Sequence, residues 1–369
     1  MMDEAYKMWL YNIDGVGDMR IRLLISSLGS AQAVFEAPHS LLMRIAGLGQ
    51  SVANNITKSQ TRAALDKCED WLLRDEDSSF VTLDDPKYPH LLRMTDKPPY
   101  GLFIKGKLPP DCKHVVAIVG SRRCTEYGRT VAYEFANELS RCGVIVISGL
   151  ASGIDARAHK GALAHGNTIG VLGCGVDVVY PKENRGLFDE VRHSGCLVSN
   201  YAPDTEPRAA YFPARNRIIS GLSNAVLVVE AAAKSGTLIT VGHALDQGRE
   251  VFAVPGSIKS RYSEGTNLLI KEGAAIATSP EDILAYLGAE NLEPPEKKQP
   301  LLALSPDEKA ILTFLDQEHT STLEHILQRT NLDTPTANQA LTMLELQGVV
   351  QRLPGLRFER VYSKRHLNP

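Results

Sequence analysis

The chain has 369 residues, 43% of them hydrophobic and 22% charged, with a formal net charge of -3. That length is too great for one ordinary core, so two or three domains are expected. The charge excludes a globally basic nucleic-acid coat and confines any polyanion site to a local patch.

Residues 1–75 read as helices, "YKMWLYNIDGVGDMRIRLLISSL" and then "SLLMRIAGLGQSVANNI". Each holds an apolar residue before G-x-G: Ile13 with Gly15 and Gly17, and Ile45 with Gly47 and Gly49. Paired helix-hairpin-helix units, whose glycine turn can offer backbone N–H groups to a phosphate, have this form; so do plain glycine turns between packed helices. Eight Lys/Arg against nine Asp/Glu in residues 1–75 weigh against DNA contact there.

Residues 76–110, rich in Pro and turn residues, read as a lead-in to the next domain. From 114 the pattern changes to apolar runs: "VVAIVG" (115–120), "VIVISG" (144–149), "TIGVLG" (168–173), "LVSNY" (197–201), "AVLVVEA" (225–231), "EVFAVPG" (250–256) and "AAIA" (274–277). Segments of helical spacing with a glycine near their C-terminus alternate with them. Such alternation predicts an α/β domain, a Rossmann-like, doubly wound, mostly parallel sheet covered on both faces. Residues 291–304 read as a polar linker. Helices at 306–316, 321–329 and 335–347, followed by two short strands around "LPGLR", give the order of a winged helix-turn-helix. Its reading helix, "TPTANQALTMLELQG", has no Lys or Arg; Asn338 and Gln339 are its amides. Base readout in a major groove leans on basic or amide side chains, so a protein-docking role is favoured. The basic cluster Arg352, Arg357, Arg360, Lys364 and Arg365 keeps duplex binding open. The expected domains are therefore 1–75, 76–290 and 305–369, with 291–304 as linker.

Cys68, Cys112, Cys124, Cys142, Cys174 and Cys196 form no C-x-x-C pair and suggest reduced thiols in a cytoplasm. The ten His include no H-E-x-x-H, so neither a metal nor another cofactor is expected. "MMDEAYKMWL" lacks a basic, apolar leader, and no apolar run approaches the ~18 residues of a membrane span.

Open parallel sheets bind ligands at the carboxyl ends of their strands. The loops there collect Gly, Ser and basic residues: "GSRRCTEYG" (120–128), "GLASGIDARAH" (149–159), "GCGVDVVYPKEN" (173–184), "EAAAKSGT" (230–237) and "PGSIKSRYSEGT" (255–266). This suits an anion held by backbone N–H groups and helix N-termini. No strand is followed by G-x-G-x-x-G, no P-loop occurs, and no G-x-S-x-G elbow is present. Asp155 and His159, at i and i+4, could form an acid–base pair or a local structural contact. Glu230 could be a general base or half of an internal ion pair. Asp177 and Tyr180 read as loop architecture. In "FPARNRIISG" (212–221), Pro213 suits a first helical position, with Phe212 near the N-cap. A rotation of about 100° per residue points Arg215 and Arg217 to nearly opposite faces. Arg215, on the side of Phe212, is the expected phosphate contact, and Arg217 the expected brace for a buried carboxylate such as Asp155 or Glu230. Phe212 offers either a stacking face for a base or an inward core residue.

In this order, "VGSRRCTEYG", "SGLASGIDARAH", "VLGCGVDVVYP", "FPARNRIISGLS", "VVEAAAKSGTLIT" and "GREVFAVPG" resemble DNA processing protein A, the DprA/Smf family. The resemblance spans 115–277 and extends to the flanking domains. It implies a protein without established catalysis that binds single-stranded DNA, loads the RecA recombinase in natural transformation and homologous recombination, and self-associates through the Rossmann-like domain. Position by position, with Pro213 matching the proline of the F-P-x-R-N-R block, it places DNA contacts at Arg122, Phe212, Arg215, Asn216, Arg217, Ser235, Gly236 and Thr237. Arg208 is a looser match, and Lys182 in the neighbouring loop is a further candidate. The loop "VSNYAPDTEP" departs from the family's S-E-Y-P-P-G, with Asn200 for Glu and Asp204 for Gly. Self-association is implied near "GTNLLIKEG", with Leu268, Leu269 and Ile270 as candidates, although core positions would look the same. The competing enzyme reading is a phosphoribohydrolase acting on nucleoside monophosphates; "AAAKSGTLIT" lacks the double glycine and following Glu of such enzymes.

Overall fold

A computed structural model describes residues 2–109, 113–166, 168–289, 305–318, 320–346, 349–353 and 357–360. The chain forms two compact units, 1–295 and 296–369.

In the first unit, nine strands among the described residues form one sheet: β1 (Ser78–Thr82), β2 (Gly101–Gly106), β3 (Val115–Val119), β4 (Ile145–Ser148), β5 (Thr168–Val171), β6 (Cys196–Ser199), β7 (Ala225–Val228), β8 (Glu250–Ala253) and β9 (Ala275–Ile276). Their spatial order is β1-β2-β6-β5-β4-β3-β7-β8-β9. From β6 to β9 all pairings are parallel, whereas β2 joins β6, and β1 joins β2, antiparallel. The seven predicted strands are present within a few residues. β1 and β2 lie in the stretch read as a lead-in and extend the sheet beyond it.

The apolar runs follow from burial on both faces. Along β3, Val115, Ala117 and Val119 enter one core while Val116 and Ile118 enter the other. A period-2 strand with both faces covered must be apolar at every position. The helical segment 2–74 has its own core, but that core takes in Phe80 and Phe103 from β1 and β2. Phe103 stacks edge-on with Trp71 at 5.5 Å and lies 4.7 Å from Phe80. Both G-x-G motifs end as helix N-caps, Gly17 before Asp18–Leu28 and Gly49 before Gln50–Ser59.

The chain leaves β3 towards β4, β5 and β6, then crosses back to β7, β8 and β9. The direction reverses between β3 and β7, and ligands in open α/β sheets bind in the crevice outside such a switch point.

In the second unit, helices Pro306–Glu318, Leu323–Thr330 and Thr334–Leu346 pack with strands β10 (Thr320–Thr322), β11 (Val350–Leu353) and β12 (Arg357–Arg360). The strand order is β10-β12-β11, and Ile311, Leu315, Ile326, Leu341, Leu344 and Phe358 fill the core. This is the predicted winged helix with one further strand. Asn338 and Gln339 are exposed on the third helix. The expected linker, 291–304, and the basic residues Lys364 and Arg365 lie outside the described residues. Among the described residues, no helix is long and apolar enough to cross a membrane.

Candidate functional site

A crevice of about 820 Å3 opens at the switch point. Its lining draws Gly120–Arg123 from the end of β3, Ser235–Thr237 from the loop after β7, and Phe212, Arg215 and Asn216 from the helix Tyr211–Gly221. Four arginines line it, Arg122, Arg123, Arg215 and Arg261, against one carboxylate, Asp155. Three of the four, Arg122, Arg123 and Arg261, are exposed.

The loop carrying Arg122 is held from below. Ser121 N–H donates to the Glu230 carbonyl at 2.8 Å. The Glu230 carboxylate accepts from Thr125 N–H at 2.8 Å and from the Thr125 hydroxyl at 2.6 Å. Thr125 Oγ1 in turn accepts from Gly128 N–H and so caps the helix Glu126–Arg141. Glu230 is 2% exposed. It therefore closes a loop instead of pairing with an arginine, because the helix N-terminus supplies the donors its charge needs.

Phe212 is the centre of an aromatic and cationic cluster. The Arg122 guanidinium lies over its ring at 5.4 Å, and Tyr180 stacks on it at 5.2 Å with an interplanar angle of 30°. Tyr180 is 38% exposed, so it presents a face at the rim instead of serving only as loop architecture. Beside them Tyr201 stacks on Tyr211 at 4.3 Å, and Arg208 lies over Tyr211 at 5.7 Å. The helix begins at Tyr211 after Ala210, so Phe212 and Pro213 stand two positions further in than expected. Pro213 still sits in the first turn, where a missing N–H costs nothing. Ser235 accepts from Thr237 N–H at 3.2 Å and starts the helix Thr237–Asp246, whose N-terminus faces the crevice. Lys182 is exposed beside the crevice, next to Pro181.

The two arginines of the opening helix do have separate roles, but not the expected ones. Arg215 is 4% exposed, and its Nη1 donates to the Gly149 carbonyl at 3.0 Å and to the Val171 carbonyl. It is the residue that braces the Asp155 region, because its side of the helix faces the ends of β4 and β5. Arg217 points to the helical segment instead: Nη1 donates to the Lys97 carbonyl and Nη2 lies 4.0 Å from the Asp18 carboxylate. Neither of the expected assignments, phosphate contact for Arg215 or carboxylate brace at Asp155 or Glu230 for Arg217, fits these contacts. Burial pushes the Asp155 carboxyl up to about 6, opposed by Arg215, and pulls Arg215 down to about 10, opposed by Asp155.

Asp155 and His159 do not form an acid–base pair. Asp155 accepts from Gly149 N–H at 3.1 Å, while His159 Nδ1 lies 2.8 Å from Thr168 Oγ1 in the core. Burial pulls His159 down to about 3. Asp177 accepts from Asp204 N–H at 2.9 Å and does hold its loop. Leu269 is in the sheet core and cannot form a surface contact; Ile270 is half-buried against that core, and Leu268 is 42% exposed.

Sequence reading missed Arg123, Arg261 and Tyr180 as rim residues. Arg261 lies over Tyr262 at 4.8 Å, and both line the crevice. Their loop follows β8, so the general rule of strand carboxyl ends pointed to the segment but not to these side chains.

Comparisons with known proteins place the chain in a family. The family model described as "DNA recombination-mediator protein A" matches residues 79–288, and that described as "DprA winged helix domain" matches 295–355. Protein Smf of Synechocystis sp. is 33% identical, over 97% of this chain and 99% of the relative. The X-ray structure of DNA processing protein A from Streptococcus pneumoniae aligns with a TM-score of 0.64 and 34% identity, covering 77% of this chain and 97% of that one. A Helicobacter pylori DNA processing protein A, described for its single-stranded DNA binding mode, aligns with a TM-score of 0.52 and 30% identity, over 56% of this chain and 95% of that one.

Proposed function

Because the chain belongs to the DNA recombination-mediator protein A family, we propose that it binds single-stranded DNA across the carboxyl edge of its sheet and delivers that strand to a RecA-type recombinase. The observation that carries this reading is the crevice at the switch point, lined by exposed Arg122, Arg123 and Arg261 and by the Phe212–Tyr180 stack. Bases stack on aromatic faces without regard to sequence, and arginines track the phosphates. Arg208 and Lys182 extend the cationic track along the rim, and Asn216 and the Ser235–Gly236–Thr237 helix start offer uncharged donors.

A helical module at 1–75, a strand-binding body at 76–290 and a winged helix at 305–369, joined by 291–304, divide the work, with the winged helix taking a protein partner. Two copies associate through the Rossmann-like body with Leu268 at the contact, and the setting is cytoplasmic, in natural transformation or homologous recombination. The hydrolase reading gains nothing from Glu230, whose two oxygens accept from Thr125.

Fluorescence anisotropy with labelled oligo-dT and a duplex of equal length tests the binding; preference for the single strand is expected, and preference for the duplex would refute it. Filament nucleation by a RecA-type recombinase on protein-coated strand, with and without this chain, tests the delivery.

A further inference from the structure

We propose that Arg215 is a positioning residue that sets the Arg122–Phe212 pair through the ends of β4 and β5, without touching the nucleic acid. The inference rests on the single-strand-binding reading above.

The contacts form a closed circuit. Nη1 of Arg215 bonds the carbonyls of Gly149 and Val171, one just beyond the end of β4 and the other at the end of β5. Strand-end carbonyls beyond the ladder need a donor when buried, and one guanidinium serves both. Gly149 N–H is held on the other side by Asp155 Oδ2 at 3.1 Å. A Cβ on Gly149 would stand 2.8 Å from Arg215 Nη1 and Nη2 and from Asp155 Oδ2, so this peptide is gripped between the two charges.

From Gly149 the loop runs to Gly153, whose φ of +85° few L side chains adopt. A Cβ there would lie 2.4 Å from the Ser121 carbonyl oxygen and 2.6 Å from that of Arg122. Ile154 N–H donates to the Ser121 carbonyl at 3.3 Å. The 149–153 loop is thus the surface on which the Ser121–Arg122 backbone rests. Arg122 then reaches over Phe212, which stands on the same helix as Arg215, three residues before it. The side chain that clamps the two strands therefore fixes both ends of the cation–π pair. Arg215 has Nη1 committed to carbonyls, and its Nε is sealed from solvent. A guanidinium 4% exposed, with Nη1 bonded to two strand-end carbonyls and Nε buried without a hydrogen-bond partner, is suited to holding geometry, not to meeting a mobile phosphate.

A double-mutant cycle tests this, using the full chain with wild type, R215Q, F212A and R215Q/F212A titrated against labelled oligo-dT at several salt concentrations. R215Q is expected to bind about tenfold more weakly, with a salt slope shallower by no more than the ~0.7 that loss of the Arg122 phosphate contact gives, because Arg215 itself meets no phosphate. The double variant is expected within about twofold of F212A alone, since residues acting through one another do not add. A slope shallower by about 1.4 in R215Q, twice the change in R122A, would mean a direct phosphate contact beside that of Arg122; additive losses, or wild-type affinity in R215Q, would equally overturn the proposal. If R215Q does not fold, R215K enters the same cycle, where the ammonium keeps the charge on a shorter side chain that stops short of the Nη1 position. If wild type does not bind oligo-dT, the functional reading fails by itself. The positioning is then read without DNA from the F212W variant, whose indole should become more open to iodide quenching when R215Q is added. Unchanged quenching would refute it.

Discussion

At the scale of single residues, the proposed strand binding rests on Phe212 and Arg122. The ring has Tyr180 stacked on it and Arg122 over it, and all three line the crevice. Base stacking on an aromatic ring in single-strand binders is worth about 1–3 kcal/mol. F212A should therefore bind oligo-dT at least about fivefold more weakly while its thermal unfolding stays close to wild type; equal affinity would remove the ring from the site. His159 gives a pH prediction. Burial pulls it from its ordinary 6.5 down to about 3. A folded value below the unfolded one means that the unfolded chain binds the proton first, so stability falls as pH drops from about 6.5 towards 3. Asp155, pushed up to about 6, acts with the opposite sign between about 4 and 6 and offsets part of the loss. H159Q should show a shallower loss of chemical stability between pH 6.5 and 4 than wild type; parallel curves would contradict this.

At the scale of elements, the loop between β3 and the helix Glu126–Arg141 depends on Thr125, which caps the helix and ties Glu230. T125A removes a cap typically worth about 1 kcal/mol and leaves a buried carboxylate with one donor fewer. It should lower the melting temperature by several degrees and weaken oligo-dT binding, because Arg122 stands on the same loop; an unchanged melting temperature would contradict the clamp. Legibility at this scale follows burial. Strands β3 to β8 announce themselves because most of their positions are buried on one face or the other and are apolar. β1 and β2 did not, since "SSFVT" is half polar and both lie amid Pro and turn residues. Helical rotation separated Arg215 from Arg217 correctly. It could not say which face met the ends of β4 and β5, because that depends on where distant strands finish. Arg261 was hidden for the same reason: the crossing to β8 brings it to a crevice that begins at β3.

For the whole molecule, family membership and fold agree, and the proposed binding places a polyanion on a local basic rim of a chain whose net charge is -3. Leu268 and Leu269 separate assembly from folding. L268E alters a side chain 42% exposed and should reduce a dimer to a monomer in light scattering without loss of helix or sheet signal. L269E places a charge among core residues and should unfold the body. A wild type already monomeric would contradict the proposed association. The central claim, that a single strand lies over the arginines at the switch point, is tested most directly by the salt dependence of oligo-dT affinity. Three phosphates neutralised by Arg122, Arg123 and Arg261 predict a slope of about -2 in log K against log salt, falling to about -1.4 in R122A. A flat slope in wild type, or the same slope in R122A, would contradict it.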